Sequence, residues 1–336
     1  MIGTGSRAPA PVRTIDSPEF ALIQTFVAAF DVAPPPSGPG DDCAVVRPGR
    51  GDLCVTTDSV IEDAHFTLKH FSFEDVGHKA LAVNLSDLAA MGAKPRWFVC
   101  ALALPARLRY GVRRIAAGMS RLARLHRAAL VGGNVSAARE LSITITAIGE
   151  VGRGAALTRS GARPGDTLYV SGTLGDARLG LSLLREGVRR GVARRQLRPE
   201  PRIRLGQICA RHAHAAIDIS DGFAQDLAQL CRASRAGARI DTVSLPLSAE
   251  LRRRARTTER AVRWALTGGE DYELLIAVPP SGAAAFERHC ARFGERVSQV
   301  GVVTSGAQVK FVSPEGTTIA PPRGYDHFAG VRSPTD

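Results

Sequence analysis

Apolar positions along the chain follow two periods. Over 20–30, FALIQTFVAAF, they recur every three to four residues after Asp16 and Ser17, which predicts a first helix with those two residues as caps. A proline- and glycine-rich stretch, APPPSGPGDD, separates it from two β-like runs, CAVV and LCVTTDSV, the second rich in β-branched residues. Helical spacing returns over 77–95, GHKALAVNLSDLAAMGAKP, closed by Gly92 and Pro95. RWFVCALALP then reads as a strand, 108–128 as a basic amphipathic helix, and ALVGGN and LSITITAIGEV as two more strands. Alternation in the last places one of its faces in a core.

Beyond a glycine- and arginine-rich break over 152–168 the pattern starts again. Strand TLYVSGT, the turn GTLGDARLG, a helix over 176–187, strand AAIDIS, a helix over 221–235, strand ARIDTV, a helix over 281–293 and strand VSQVGVVT follow in order. The expected organisation is a disordered tail over 1–16, an N-terminal domain over 17–152 and a C-terminal domain over 153–336, each mixing α and β on a similar scale. The likeness between NLSDLAAMG and DISDGFAQDL is too thin to establish a repeat.

A chain of 336 residues has room for two such cores, and 44% hydrophobic with 23% charged residues is a globular balance. No apolar run is long enough to span a bilayer, and the N-terminus carries two Arg without the apolar core of a secretory signal, so a cytoplasmic protein off the membrane is expected. Six scattered cysteines, without a C-x-x-C pair, argue against zinc and against a disulfide framework. They read as reduced, mostly buried small apolar residues. The net charge of +12 comes almost wholly from Arg, densest over 189–204 and 251–263. Those clusters read as solvated helical faces or loops and lack interleaved aromatics, so nucleic acid is not an expected partner.

Acidic residues gather at element ends. Asp41 and Asp42 precede an apolar run in PGDDCAVV, and such neighbours, if buried, are driven toward neutrality unless a cation or donors compensate. Thr56-Thr57-Asp58 closes a strand, where ligands of α/β sheets collect. Asn84 and Asp87 share a helical face, Asp218 and Asp221 flank Ser220 at a strand-to-helix junction, and Glu270-Asp271 follow Gly268-Gly269. Singly, each could be a cap, a turn former or an exposed position. Together they form a set of hard oxygen donors without a competing Cys or His cluster, which suits several Mg²⁺ ions and a strongly anionic pair of substrates. No Walker A or protein-kinase motif is present. Candidate nucleotide contacts are Gly132-Gly133-Asn134, Arg159 and the SGTLGD turn, with tight-turn geometry an equal explanation for the paired glycines.

The ordered blocks GDDCAVV, TTDSVIEDAHF, HKALAVNLSDLAAMGAKP, GGN, ALTRSGARPGD, SGTLGD, LRPEPR, IDISDG, TGGEDYEL and GYDHF resemble the thiamine-monophosphate kinase family over about residues 17–328. That family belongs to the aminoimidazole-ribonucleotide-synthetase, or PurM-like, superfamily. The resemblance implies a two-domain α/β (mixed α+β) fold, a homodimer formed through the N-terminal domain, and ATP in the cleft between domains. It implies Mg²⁺ on Asp42, Thr56, Thr57, Asp58, Asp87, Asn134, Asp218 and Asp221. It also implies ATP on Gly133, Asn134, Arg159 and Ser220, and thiamine monophosphate against His65, Glu270 and Tyr325. Of the paired carboxylates, it selects Asp42. Two positions depart from the family's pattern: Asn134 stands where Asp is frequent, and Pro322 where an aromatic is frequent, which leaves Tyr325 or Phe328 to meet the thiamine ring.

The implied reaction moves the γ-phosphoryl group of ATP directly to the phosphate of thiamine monophosphate. A phosphate monoester, with second pKa about 6, is mostly ionised at neutral pH, so no general base is expected. Among relatives, selenophosphate synthetase would carry a reactive Cys or selenocysteine in an N-terminal glycine-rich loop, the hydrogenase-maturation protein would end in Cys, and aminoimidazole-ribonucleotide synthetase would lack the GGEDYEL and GYDHF blocks. A basic nucleic-acid adaptor is the rival of another class, told apart by a steep loss of binding with salt.

Overall fold

The structure is a computed structural model and describes residues 18–34, 37–39 and 42–319. The expected tail over 1–16, Asp41 and the GYDHF block with Tyr325 and Phe328 lie outside them. After α1 (Pro18–Val27), a four-stranded sheet is built from β1 (Asp52–Ile61), β2 (Lys94–Leu104), β3 (Ala129–Ala137) and β4 (Ser142–Val151) in the order β1-β4-β2-β3. Its helices are α2 (Phe73–Ala90) and α3 (Val112–His126). The alternation foreseen in β4 holds: Ile143, Ile145 and Ala147 are fully buried while their neighbours are half-buried. CAVV forms no strand; 44–49 is irregular, and the chain becomes extended only at Asp52.

The second sheet has seven strands in the order β11-β10-β7-β9-β5-β8-β6. These are β5 (Thr167–Ser171), β6 (Ala215–Ile219), β7 (Gly237–Asp241), β8 (Glu273–Val278), β9 (Val297–Thr304), β10 (Val309–Val312) and β11 (Thr318–Ile319). Around it lie α4 (Asp176–Arg185), α5 (Ala193–Leu197), α6 (Ile203–Cys209), α7 (Phe223–Ser234), α8 (Ala249–Ala255), α9 (Thr258–Thr267) and α10 (Ala283–Arg292). β8 is buried at every position, so it carries no alternation for the sequence to reveal.

α2 is the hinge of the design. It starts with a capping box between Ser72 and Asp75 and is buried on nearly all sides, against α3, both sheets and α6. Asp75 also accepts from Arg198 at 2.6 Å and Arg189 at 2.8 Å, while Arg202 and Arg195 engage the buried Glu273. The 189–204 arginines are therefore only in part the solvated face that their density suggested: Arg190, Arg194 and Arg204 are exposed, but Arg189, Arg195, Arg198 and Arg202 turn to buried acids. These four neutralise two buried carboxylates, Asp75 and Glu273, which uncompensated would be costly inside the protein. Arg253 and Arg254, by contrast, pair with Glu250 on the exposed side of α8. The cysteines are all free; Cys100, Cys209, Cys231 and Cys290 are buried, Cys54 half-buried and Cys43 exposed.

Candidate active site

Two clefts meet along β1 and α2. One, about 800 Å³, is lined by Asp58, His65, Ser220, Asp221, Glu270 and Tyr272, among others. The second, about 730 Å³, is lined by Thr56, Asp87, Thr158, Arg159, Ala216 and Asp218. Alternation along β1 sends Thr56 and Asp58 to the α2 side, and Thr56 Oγ1 donates to Asp87 Oδ2 at 2.5 Å. From the residue just before Asp87 in α2, Ser86 Oγ donates to Asp218 Oδ2 at 2.8 Å, bringing β6 of the second sheet to the same place. One turn before Asp87, Asn84 donates to the Ala80 carbonyl, and its Oδ1 is the sole buried side-chain polar atom without a hydrogen-bond partner among the described residues.

Burial raises the Asp87 carboxyl above its ordinary range, against the Thr56 hydrogen bond and the Arg159 charge. Burial, and then the charge of Asp87, push Asp218 up to about 8. The buried Tyr272 phenol is raised by burial and then by Glu270, Asp58, Asp218 and Asp87, so four carboxylates from both domains lie within electrostatic reach of one ring. Asp226 accepts from the N–H groups of Ser220, Asp221 and Gly222 and thereby fixes that turn. Burial and the Asp221 charge push Asp226 up to about 7.

Glu270 sits at φ 69° and Tyr272 at φ 50°, two left-handed non-glycine residues in one loop. Hydrogen bonds from Glu270 N to Ser220 O (2.7 Å) and Tyr272 N to Ile219 O (2.8 Å) hold that loop to the end of β6. The Glu270 carboxylate pairs with Lys79 Nζ at 2.6 Å and accepts from Gln196. Lys79, 1% exposed, also donates to the His65 carbonyl at 3.0 Å, and His65 Nδ1 accepts from Ile61 N at 3.1 Å. Lys79, Gln196, Asp226 and Tyr272 were not foreseen as site residues. Lys79 and Tyr272 stand inside quoted motifs, but an alternating or helical pattern says nothing about which buried polar groups will meet.

Thr56, Asp58, Asp87, Arg159, Asp218, Ser220, Asp221, His65 and Glu270 thus gather at the two clefts. Arg159 Nη1 donates to Gln229 Oε1 at 3.0 Å. Asp42 lies on the exposed loop before β1 and lines neither cleft. Thr57 points to the opposite face of the sheet, donating to the Ile145 carbonyl at 3.1 Å. Gly133 and Asn134 lie on β3, the far edge strand, where Asn134 pairs with Ala101. Three strand spacings, on the order of 14 Å, separate β3 from β1. Within one chain these residues do not join the cluster. A Cβ on Gly133 would lie 2.2 Å from the Cys100 carbonyl oxygen, so close strand approach already requires this glycine.

No three of His, Cys, Asp and Glu form a ready metal cage among the described residues. The donor set nevertheless fits Mg²⁺. A buried carboxylate (Asp218) opposed by a half-buried one (Asp87), two hydroxyls and an unpartnered amide oxygen on the same helix as Asp87 make an oxygen-rich pocket short of positive charge, and Mg²⁺ takes few protein ligands and keeps water and phosphate for the rest.

The sequence matches the family models for the AIR synthase related protein N-terminal domain over residues 40–151 and the C-terminal domain over 163–313. It is 40% identical over 325 residues to thiamine-monophosphate kinase of Escherichia coli K12, covering 93% of this chain and 98% of that one. The chain belongs to the thiamine-monophosphate kinase family. Its fold matches the crystal structure of thiamine-monophosphate kinase from Stenotrophomonas maltophilia with TM-score 0.80 and 36% identity, over 90% of this chain and 98% of that one. A further family structure, described as AaThiL complexed with AMPPCP and TMP, matches with TM-score 0.75 and 33% identity over 92% and 96%. The mixed α/β fold expected for the family is the one observed, and among the described residues no helix is long and apolar enough to cross a membrane.

Proposed function

We propose that this protein is a Mg²⁺-dependent thiamine-phosphate kinase, transferring the γ-phosphoryl group of ATP to thiamine monophosphate by direct in-line displacement to give thiamine diphosphate. The observation that carries the reading is the meeting of Asp87 and Asp218, from two domains, in the wall of the smaller cleft. The family relatives support the chemistry assigned to it.

Asp58, Asp87, Asp218 and Thr56 would hold Mg²⁺, with Asp42, Thr57, Asn134 and Asp221 completing the set. Bound there, the metal supplies charge neutralisation to the phosphates, the chief need of phosphoryl transfer. Arg159 lends positive charge beside Asp87 and Asp218, and Gly133 and Ser220 with it form the nucleotide side. His65, Glu270 and Tyr325 form the thiamine side. The acceptor oxygen is already ionised, so the protein has to orient two anions and exclude water, and no side chain is needed to take a proton. With the division at 152/153, self-association and most of the Mg²⁺ ligands fall to the N-terminal domain, and ATP spans the cleft between the two. Cytoplasmic residence belongs to the same proposal.

A homodimer completes it. The sheet face turned away from α2 carries exposed Leu53 and Val55, with Ile148, Trp97 and Val99 half-buried in register beside them. A second copy on this face would cover that apolar area and let Asn134 of one copy approach Thr57 of the other. Sedimentation is expected to give twice the 35.6 kDa chain mass; a monomer at micromolar concentration would leave Asn134 out of the site.

The test of activity is a coupled assay with ATP and Mg²⁺ offered thiamine, thiamine monophosphate or aminoimidazole precursors in parallel. Only the monophosphate is expected to be consumed. Turnover of another acceptor in its place would overturn the assignment.

A further inference from the structure

Most arginines of the second domain that border buried acids are spoken for: Arg189 and Arg198 by Asp75, Arg195 and Arg202 by Glu273. Arg178 on α4 and Arg263 on α9 differ. Both line the larger cleft and both line the adjoining hollow of about 410 Å³ beside Arg260 and Glu259. No carboxylate lies within ion-pair distance of either among the described residues. Burial and then the charge of Arg263 lower the Arg178 guanidinium below its ordinary range, so the two cations face one another closely enough to repel.

Their backbones bracket the segment that forms the cleft wall. A Cβ on Gly268 would lie 3.1 Å from the Arg178 Cβ, and Thr267 Oγ1 donates to the Arg263 carbonyl at 2.8 Å. On its other side the same segment touches the turn with Ser220: a Cβ on Gly269 would lie 2.7 Å from Ser220 O, and one on Gly222 3.1 Å from the Thr267 carbonyl carbon. The wall that carries Arg178 and Arg263 therefore packs directly on the Ser220-Asp221 turn, and both side chains line the cleft without an ion-pair partner, while Glu270 in the same cleft is already neutralised by Lys79.

We propose that Arg178 and Arg263 form an anion-binding subsite at the rim of this cleft that takes the phosphate group of the acceptor ester. The planar, always-charged fork of arginine matches phosphate oxygens, and a monoester carrying nearly two negative charges offsets the repulsion between the pair. The acceptor is favoured over the nucleotide because this cleft holds both His65 and Glu270 of the acceptor side and shares only Ser220 with the nucleotide side, whose Arg159 lines the other cleft. The assignment of that ester as thiamine monophosphate rests on the function proposed above; the phosphate subsite itself does not.

The test compares the full-length protein with Arg178→Ala, Arg263→Ala and the double variant, all checked for an unchanged circular dichroism spectrum. Calorimetric titration with thiamine monophosphate and with thiamine reads the phosphate contribution. Titration with inorganic phosphate alone reads the subsite whatever the acceptor. Each single change is expected to weaken binding of the monophosphate and of inorganic phosphate roughly tenfold, the size of one charge-assisted hydrogen bond, and to leave thiamine binding unaltered. In turnover, KM for the monophosphate rises and KM for ATP does not. Unchanged phosphate affinity in the double variant overturns the subsite, as would a rise in KM for ATP alone. If the wild-type protein fails to phosphorylate thiamine monophosphate, the kinase assignment falls, while the inorganic phosphate titration still decides the subsite.

Discussion

Asp87→Asn is expected to reduce turnover by roughly 10²–10³-fold or more, the scale of removing one well-placed electrostatic group, while making the metal-free protein more stable. Both effects follow from one geometry. Thr56 donates to Asp87 and Ser86 to Asp218, and an amide oxygen preserves the Thr56 hydrogen bond, so the fold has no reason to change. What the substitution removes is a half-buried negative charge set against Asp218. The pH dependence has a definite sign. A carboxyl raised in the folded state contributes stability that is complete below the unfolded value, about 4, and lost as pH rises through its folded value. For Asp218 that value is about 8. In EDTA, wild-type melting temperature should therefore decline between about pH 4 and pH 8, and the Asp87→Asn variant should decline less because Asp218 no longer faces a like charge. Differential scanning calorimetry across that range, with the coupled assay alongside, checks both. Wild-type turnover in the variant would remove Asp87 from the site; an unchanged melting profile would mean that the two carboxylates do not oppose one another.

Lys79→Met should cost about 3 kcal/mol of stability and raise KM for thiamine monophosphate, with KM for ATP little affected. Lys79 is buried inside α2, pairs with Glu270 at 2.6 Å, holds the His65 carbonyl at 3.0 Å and lies over the Phe71 ring. It is a positioning residue: a single ammonium ties two elements of the larger cleft to the central helix. Methionine fills the same volume but leaves Glu270 with Gln196 alone. A double variant separates positioning from packing. Lys79→Met with Glu270→Gln removes both charges, so stability should recover while affinity for the monophosphate should not. Arginine is not expected to rescue, since its larger head does not fit a fully buried ammonium slot. Full stability in the single variant would show that the pair carries no net energy; unaltered KM would show that it does not orient the cleft.

The structure bears on the reading of Thr56-Thr57-Asp58 as one ligand set. On a strand, adjacent side chains point to opposite faces, and β1 obeys this: Thr56 reaches Asp87 while Thr57 reaches Ile145 across the sheet. The period-two rule was available in the sequence and predicts the split once the strand is drawn. Gly133-Asn134 is a different case. Its distance from β1 comes from the strand order β1-β4-β2-β3, which no local pattern encodes.

Sequence alone determined the local matters: the existence and type of most elements it foresaw though not their ends, which positions of β4 are buried, that Asn84 and Asp87 share a helical face, and that oxygen donors outnumber sulfur and nitrogen wherever acids cluster. These follow from periodicity and side-chain chemistry, which act over a few residues. Tertiary structure alone decided that Asp87 meets Asp218, that Lys79 grips Glu270, that Asp226 fastens the Ser220 turn, and that arginines dense enough to suggest a solvated surface neutralise Asp75 and Glu273. Those are pairings between groups far apart in the chain. They arise because burial makes an uncompensated charge expensive and selects whatever partner the packing brings within reach, a choice made by topology and not by neighbours in sequence.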